Sequence, residues 1–440
     1  MINKLKRHSA KLIAFTGLGI LLILSGCTNT NTNTSTGAIE LQWRGVFWDE
    51  RVVQPLIDEY QLLNPGVTIK YANRWPGGRS ETAAQSYKDD LDRILKAGNT
   101  AEIPDIFMVE NTWTGSYENY ATPAPSAVID ANSVKANFYP AVTKDFVKGT
   151  NVMGLPLWMD TLAIIYNKDL LAAQSLATPP SDLTNFKNKA IQLTARSSGI
   201  ITSAGFAAGT SGNVGFAPEF LNLLFLQNGV SMVDASGNPI FADSDDALTA
   251  LQYFKSFAGS SGSWDTTQKF DGIAFLEGKL AMMVTTSWRL NDILSFKDAY
   301  ALNLNIGVAP MPQIAGQPDI NWASYWGLMV ANNRPNSAAA WKFMAWLTQP
   351  EQLRKLRESE VASRRFFGIL YPRTDMQNET DIRSDPYLQN FNSELPSATS
   401  WYMVNGLEVR KAFQDLIDSN GTQANISQAQ TVIREIMSRQ

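Results

Sequence analysis

From residue 39 onward the chain alternates apolar, β-prone runs with stretches of helical periodicity, and this order restricts its fold more than any other feature. Residues 41–48 form the first β-prone run. Val52, Val53, Leu56, Ile57, Tyr60 and Leu63 then recur at the spacing of one helical face. Asn64-Pro65-Gly66 breaks that helix, and residues 67–71 read as a second strand. A helix is expected over 82–97, followed by Pro104 and a third strand over 105–109. The β-α-β-α-β order implies parallel strands joined by right-handed crossovers. Sheets of this kind hold ligands beyond the carboxyl ends of their strands. That rule selects Trp48 and Asp49 after the first strand, and Glu110 and Asn111 after the third. A chain of 440 residues is too long for one such core, so a second lobe is expected.

The remaining punctuation fits two lobes. A strand is expected over 162–166, and Pro179-Pro180-Ser181 opens a helix that runs to about Leu193. Residues 197–217, rich in Gly, Ser and Ala, read as a loop feeding an apolar helix over 218–226. Short strands are expected over 306–309 and 328–331. The helix over 336–347, capped by Asn or Ser, puts Ala340, Phe343, Met344 and Leu347 on one face. Residues 371–399 are irregular, and a helix over 422–437 closes the pattern. No internal repeat is present.

The first 26 residues carry Lys4, Lys6, Arg7 and Lys11 ahead of an apolar run over 12–24. The run is shorter than the ~20 residues of a spanning helix, and Leu24-Ser25-Gly26-Cys27 resembles the lipobox of a bacterial lipoprotein signal. An exported chain cut before Cys27, with a lipid on that cysteine, is expected. Residues 27–38, largely alternating Thr and Asn, would form the lipidated start and a flexible tether. The mature body then loses the only histidine, His8, and the only cysteine becomes acylated. Nucleophile systems that need imidazole or thiol are excluded, as are disulfides and the usual zinc and copper ligands. No metal or other cofactor is expected. Removing four positive charges takes the net charge from −4 to −8, with no basic stripe to suit nucleic acid.

Four segments, in this order, resemble the extracellular solute-binding proteins of ATP-driven importers, in particular the maltose-binding-like sugar binders. They are Pro104-Asp105-Ile106, Gly154-Leu155-Pro156-Leu157 with the run over 162–171, the Phe275/Gly278/Ala281/Met282/Trp288 pattern, and the helix over 338–352 ending in Pro-Glu-Gln. The resemblance implies an α/β, two-lobed periplasmic-binding-protein fold with hinge segments and an interlobe ligand cleft. It places the first lobe over 39–157 and 307–347 and the second over 158–306 and 348–440. Crossings are expected near 158–161, 306–310 and 347–349. It further implies a carbohydrate ligand, an ABC permease as partner, a membrane attachment through Cys27, and a monomer.

Sugars offer apolar C–H faces to aromatic rings and hydroxyls to carboxylates and amides. Twelve tryptophans are available for stacking. The expected ligand-binding set is Trp48, Asp49, Glu110, Asn111, Trp158, Asp160, Asn213, Trp288, Trp322, Tyr325, Trp326, Trp401 and Tyr402. Within it, Asp160, Trp288 and the Trp401-Tyr402 pair are the positions the resemblance favours. Asn213 closes Gly209-Thr210-Ser211-Gly212-Asn213, which lacks the Gly-Lys-Ser/Thr ending of a phosphate loop. Asp243, Asp245 and Asp246 read as a helix cap with first-turn acids, and Arg364-Arg365 as a solvated pair that would clamp an anion only if turned inward. A glycoside hydrolase would need two carboxylates drawn from Asp49, Glu110 and Asp160. A binder of polyamines or phosphate esters is the other alternative.

Overall fold

The structure is a computed structural model that describes residues 38–78, 81–96, 101–363, 368–403 and 406–439. The signal, Cys27, most of the tether and Arg364-Arg365 lie outside the described residues. No described helix is long and apolar enough to cross a membrane.

Ten strands build two five-stranded sheets. In chain order they are β1 (Ile39–Gly45), β2 (Val67–Asn73), β3 (Ile106–Glu110), β4 (Gly154–Pro156), β5 (Ala163–Asn167), β6 (Ala195–Ser197), β7 (Ile200–Phe206), β8 (Leu280–Thr285), β9 (Ile306–Ala309) and β10 (Trp326–Val330). The first sheet runs β2-β1-β3-β10-β4 and the second β9-β5-β8-β7-β6. As expected, β1 is parallel to β2, with Ile39 opposite Val67, and to β3, with Trp43 opposite Ile106. β10 enters antiparallel between β3 and β4, bringing Trp326 opposite Glu110. In the second sheet β8 is parallel to β7 and antiparallel to β5.

Local chemistry accounts for these elements. Ile106, Phe107, Met108 and Val109 are all buried, as befits a strand covered on both faces. The Glu50–Leu63 helix buries Val52, Val53, Leu56, Ile57 and Tyr60 along one stripe. It stops at Asn64, and Gly66 takes the positive φ (98°) that turns the chain into β2. Ser244 caps the Asp245–Lys255 helix, with Asp245 and Asp246 in its first turn.

The sheets are joined through a compact hinge. The segment between β4 and β5 forms bridges from Met159 to Leu370 and from Thr161 to Ala323. Beside it, Asn321–Trp322 pairs in parallel with Ala398–Thr399. Two expected boundaries move. β9 belongs to the second sheet through its whole length, with Ala309 opposite Ile164, so the chain returns to the first sheet only after it. The Pro350–Ser363 helix packs on the Glu50–Leu63 helix of the first lobe, where Lys355 Nζ bonds Glu59 at 2.8 Å. It therefore does not join the second lobe at residue 348. The local sequence could not reveal this, because the packing partner lies some three hundred residues earlier.

Candidate functional site

A cleft of about 850 Å³ lies between the two sheets, a size suited to a small-molecule ligand. One wall is built at the carboxyl ends of the first-sheet strands. Phe47 and Trp48 follow β1, Trp75 follows β2, Glu110 ends β3 with Trp113 just beyond, and Trp326 opens β10. The rings meet edge-on or tilted: Phe47–Trp75 at 4.5 Å, Phe47–Trp326 at 5.3 Å and Trp113–Trp326 at 5.1 Å between centroids. Trp158, in the crossing segment, packs on Trp48 at 4.7 Å. Phe47 has φ 66°, the left-handed region that a bulky residue rarely enters.

The opposite wall comes from the second lobe. Phe216 precedes the Ala217–Gln227 helix, and Trp288 stands in the first turn of the Ser287–Ala299 helix, 5.9 Å from it. Arg289 is clasped between two rings, 5.4 Å from Phe216 and 5.3 Å from Phe270. Asp271, fully buried, holds its fork through Nη1 at 3.2 Å and through Nη2. Gly215 leaves the room, because a Cβ there would stand 2.4 Å from Nη1. The Gly215 carbonyl accepts from Arg410 Nη2 at 3.0 Å, and Arg410 Nε bonds Glu219 at 2.7 Å. Both guanidiniums on this wall are thus joined to carboxylates.

Two acids at the cleft behave differently. Asp160 accepts from Thr161 N (2.8 Å), Ser287 N (3.2 Å), Ser287 Oγ (2.7 Å) and Trp288 N (3.3 Å). Thr286 gives the Ser287–Ala299 helix no side-chain cap, so a carboxylate from the hinge supplies one. Burial pushes Asp160 up to about 6 despite these donors. Glu110 uses Oε2 for the Thr112 amide (3.1 Å) and hydroxyl, and burial pushes it up to about 7.

Of the residues expected in the site, Trp48, Glu110, Trp158, Asp160, Trp288, Trp322, Tyr325 and Trp326 line the cleft. Five do not. Asp49 is exposed and caps the Glu50–Leu63 helix, accepting from Arg51 N at 3.0 Å and pairing with its guanidinium. Asn111 is buried in a structural knot: Nδ2 bonds Asp145 (3.0 Å) and Ser400 (3.1 Å), and Oδ1 takes the Tyr325 amide (3.1 Å). Asn213 gives Nδ2 to the Asp265 and Gln268 carbonyls and accepts from Trp264 Nε1 at 3.0 Å, bracing its own loop. Trp401 is buried against Phe413, its Nε1 donating to Asn222 at 2.7 Å. Tyr402 lies under Lys148 Nζ, 5.5 Å from the ring centroid. Conversely, Phe47, Trp75, Trp113, Phe216 and Arg289 line the cleft without having been selected. Trp75 follows the second strand, so the carboxyl-end rule applied to β2 would have found it.

The family model for bacterial extracellular solute-binding proteins matches residues 49–353. The chain belongs to that family. This solute-binding protein is 23% identical over 366 residues to the maltotriose-binding protein of Pyrococcus abyssi, covering 79% of this chain and 69% of the relative. Its fold is similar to that of the sugar-binding protein MalE from Xanthomonas citri (TM-score 0.71, 17% identity, 91% of this chain and 98% of that one). It is likewise similar to a cyclo/maltodextrin-binding protein complexed with maltotetraose (TM-score 0.70, 17% identity, 92% and 99%). The family is non-enzymatic, and the site agrees. Of the three acids from which a hydrolase would draw its two carboxylates, Asp49 is away from the cleft and both oxygens of Asp160 are occupied by backbone and hydroxyl donors.

Proposed function

We propose that this solute-binding protein captures an oligosaccharide in its interlobe cleft and delivers it to an ABC permease, held at the membrane by a lipid on Cys27. The supporting observation is the pairing of aromatic walls from both lobes around a few fixed polar groups. Rings such as Trp326 and Trp288 offer faces to sugar C–H surfaces, and Glu110 offers a carboxyl oxygen to hydroxyls. A relative named for maltotriose and a neighbour bound to maltotetraose fit the same class of ligand. A phosphate ester would require an unmatched cation, whereas Arg289 and Arg410 are each joined to a carboxylate. No covalent step is involved. Contacts to both walls would favour the closed arrangement of the lobes, and the closed form would engage the permease.

Titration calorimetry against a panel of mono- and oligosaccharides tests this. At least one oligosaccharide should bind, and Trp288→Ala should weaken it by about 2 kcal/mol, as for a buried aromatic anchor. A wild-type protein that gives no heat with any carbohydrate, yet binds another solute class, would overturn the reading.

A further inference from the structure

The geometry points to an extension of the binding site along the Ser287–Ala299 helix, out to Tyr300, that takes the outer units of a long oligosaccharide. The inference rests on the carbohydrate reading above. The helix buries Leu290, Ile293 and Leu294, and a surface helix ordinarily turns charged residues away from such a core. Here the residues four apart, Trp288, Asp292, Phe296 and Tyr300, form a line of three rings and one acid. At 1.5 Å per residue the line runs about 18 Å. Its first three members line the cleft, so Tyr300 is the next step outward.

The outer rings are bare. Phe296 is 51% exposed and Tyr300 70%, and they lie near-parallel (11°) with centroids 6.3 Å apart. On the same wall, Phe270 and Ile273 also line the cleft and are 44% and 49% exposed. Grouped apolar surface at the rim of a binding site marks contact with a ligand, since soluble proteins otherwise keep such patches small. The patch is continuous with the cleft, and it carries the acid Asp292 between rings. Such a surface suits successive sugar units, whose apolar faces alternate with hydroxyl edges. The occupant is therefore the end of the same chain whose inner units lie against Trp288.

The test is affinity against chain length. The probe is a homologous series, disaccharide to heptasaccharide, of the sugar that the wild-type protein binds. Wild-type affinity should rise along the series, and Tyr300→Ala should bind the disaccharide unchanged while losing about tenfold on the heptasaccharide. Tyr300 is exposed and stands outside the cleft lining, so unliganded melting should not move. Equal loss at every length would assign the ring to lobe closure and overturn the proposal. So would unchanged affinity at every length, or a wild-type affinity that does not grow with length. If the wild-type protein binds no carbohydrate, the function proposed above falls and this extension falls with it.

Discussion

Phe47 holds a left-handed backbone conformation while its ring touches Trp75 and Trp326 in the cleft wall. That conformation costs an L-residue roughly 1–2 kcal/mol, so the surrounding structure has to enforce it. The turn places the ring of Phe47 in the cleft and leaves Asp49 outside as a helix cap. Replacement separates the two effects. Phe47→Ala and Phe47→Gly both remove the ring and should weaken sugar binding alike in calorimetry. Urea melts should nevertheless find the glycine variant more stable than the alanine variant by up to about 1 kcal/mol, because only glycine accepts the φ freely. Equal stabilities would show that the turn is not strained. The position was not legible beforehand: a positive φ on a phenylalanine has no signature in composition or periodicity. Trp48, one residue on, was legible, because it follows a β-prone run at the ligand end of a parallel sheet.

At the scale of elements, the strands and helices that follow from periodicity were largely legible. The helix expected over 422–437 is Gln423–Met437, and the strand expected over 306–309 is Ile306–Ala309. What escaped was the strand β7, Ile200–Phe206, which lies inside the stretch read as a loop, and partnership. Asp160 acts on a helix whose first residue is 127 positions later, and no local pattern announces that. Asp160→Asn would replace one accepting oxygen with an amide donor and set it against either the Thr161 and Ser287 amides, which share Oδ1, or the Trp288 amide, which uses Oδ2. The expected cost is about 1–3 kcal/mol of stability, the range for a lost charged cap and a buried unmatched group. Because Trp288 N is one of the donors, sugar affinity should fall as well. A melting temperature and affinity both equal to wild type would remove Asp160 from this role. Asn111 and Asn213 show the same limit: each looked available from its loop, and each is engaged by distant backbone or side-chain groups.

Across the whole molecule, several carboxyls are raised by burial: Asp160 to about 6, and Glu110 and Glu394 to about 7. An unfolded Glu394 ionises near 4.5, so between that pH and about 7 the native state retains a proton that the unfolded state has released. Stability must then fall as pH rises through the window and level off above it. Glu394 stands apart from the cleft lining and accepts from Asn321 Nδ2 at 2.7 Å, a bond that a glutamine oxygen can keep. Glu394→Gln should therefore flatten the decline in melting temperature between pH 4.5 and about 7, with its gain over wild type largest above that window. An unchanged slope would place the pH dependence elsewhere.

The order of the first sheet has a consequence for how the molecule is made. β10, residues Trp326–Val330, is a central strand of that sheet, yet it is translated after the whole of the second sheet. A nascent chain emerging at roughly 5–20 residues per second exposes β1 to β4 long before the strand that must lie between β3 and β4. During that interval the first lobe has a gap where β10 belongs and lacks a complete core. Completion of the first lobe's core thus waits until every strand of the second sheet has been made.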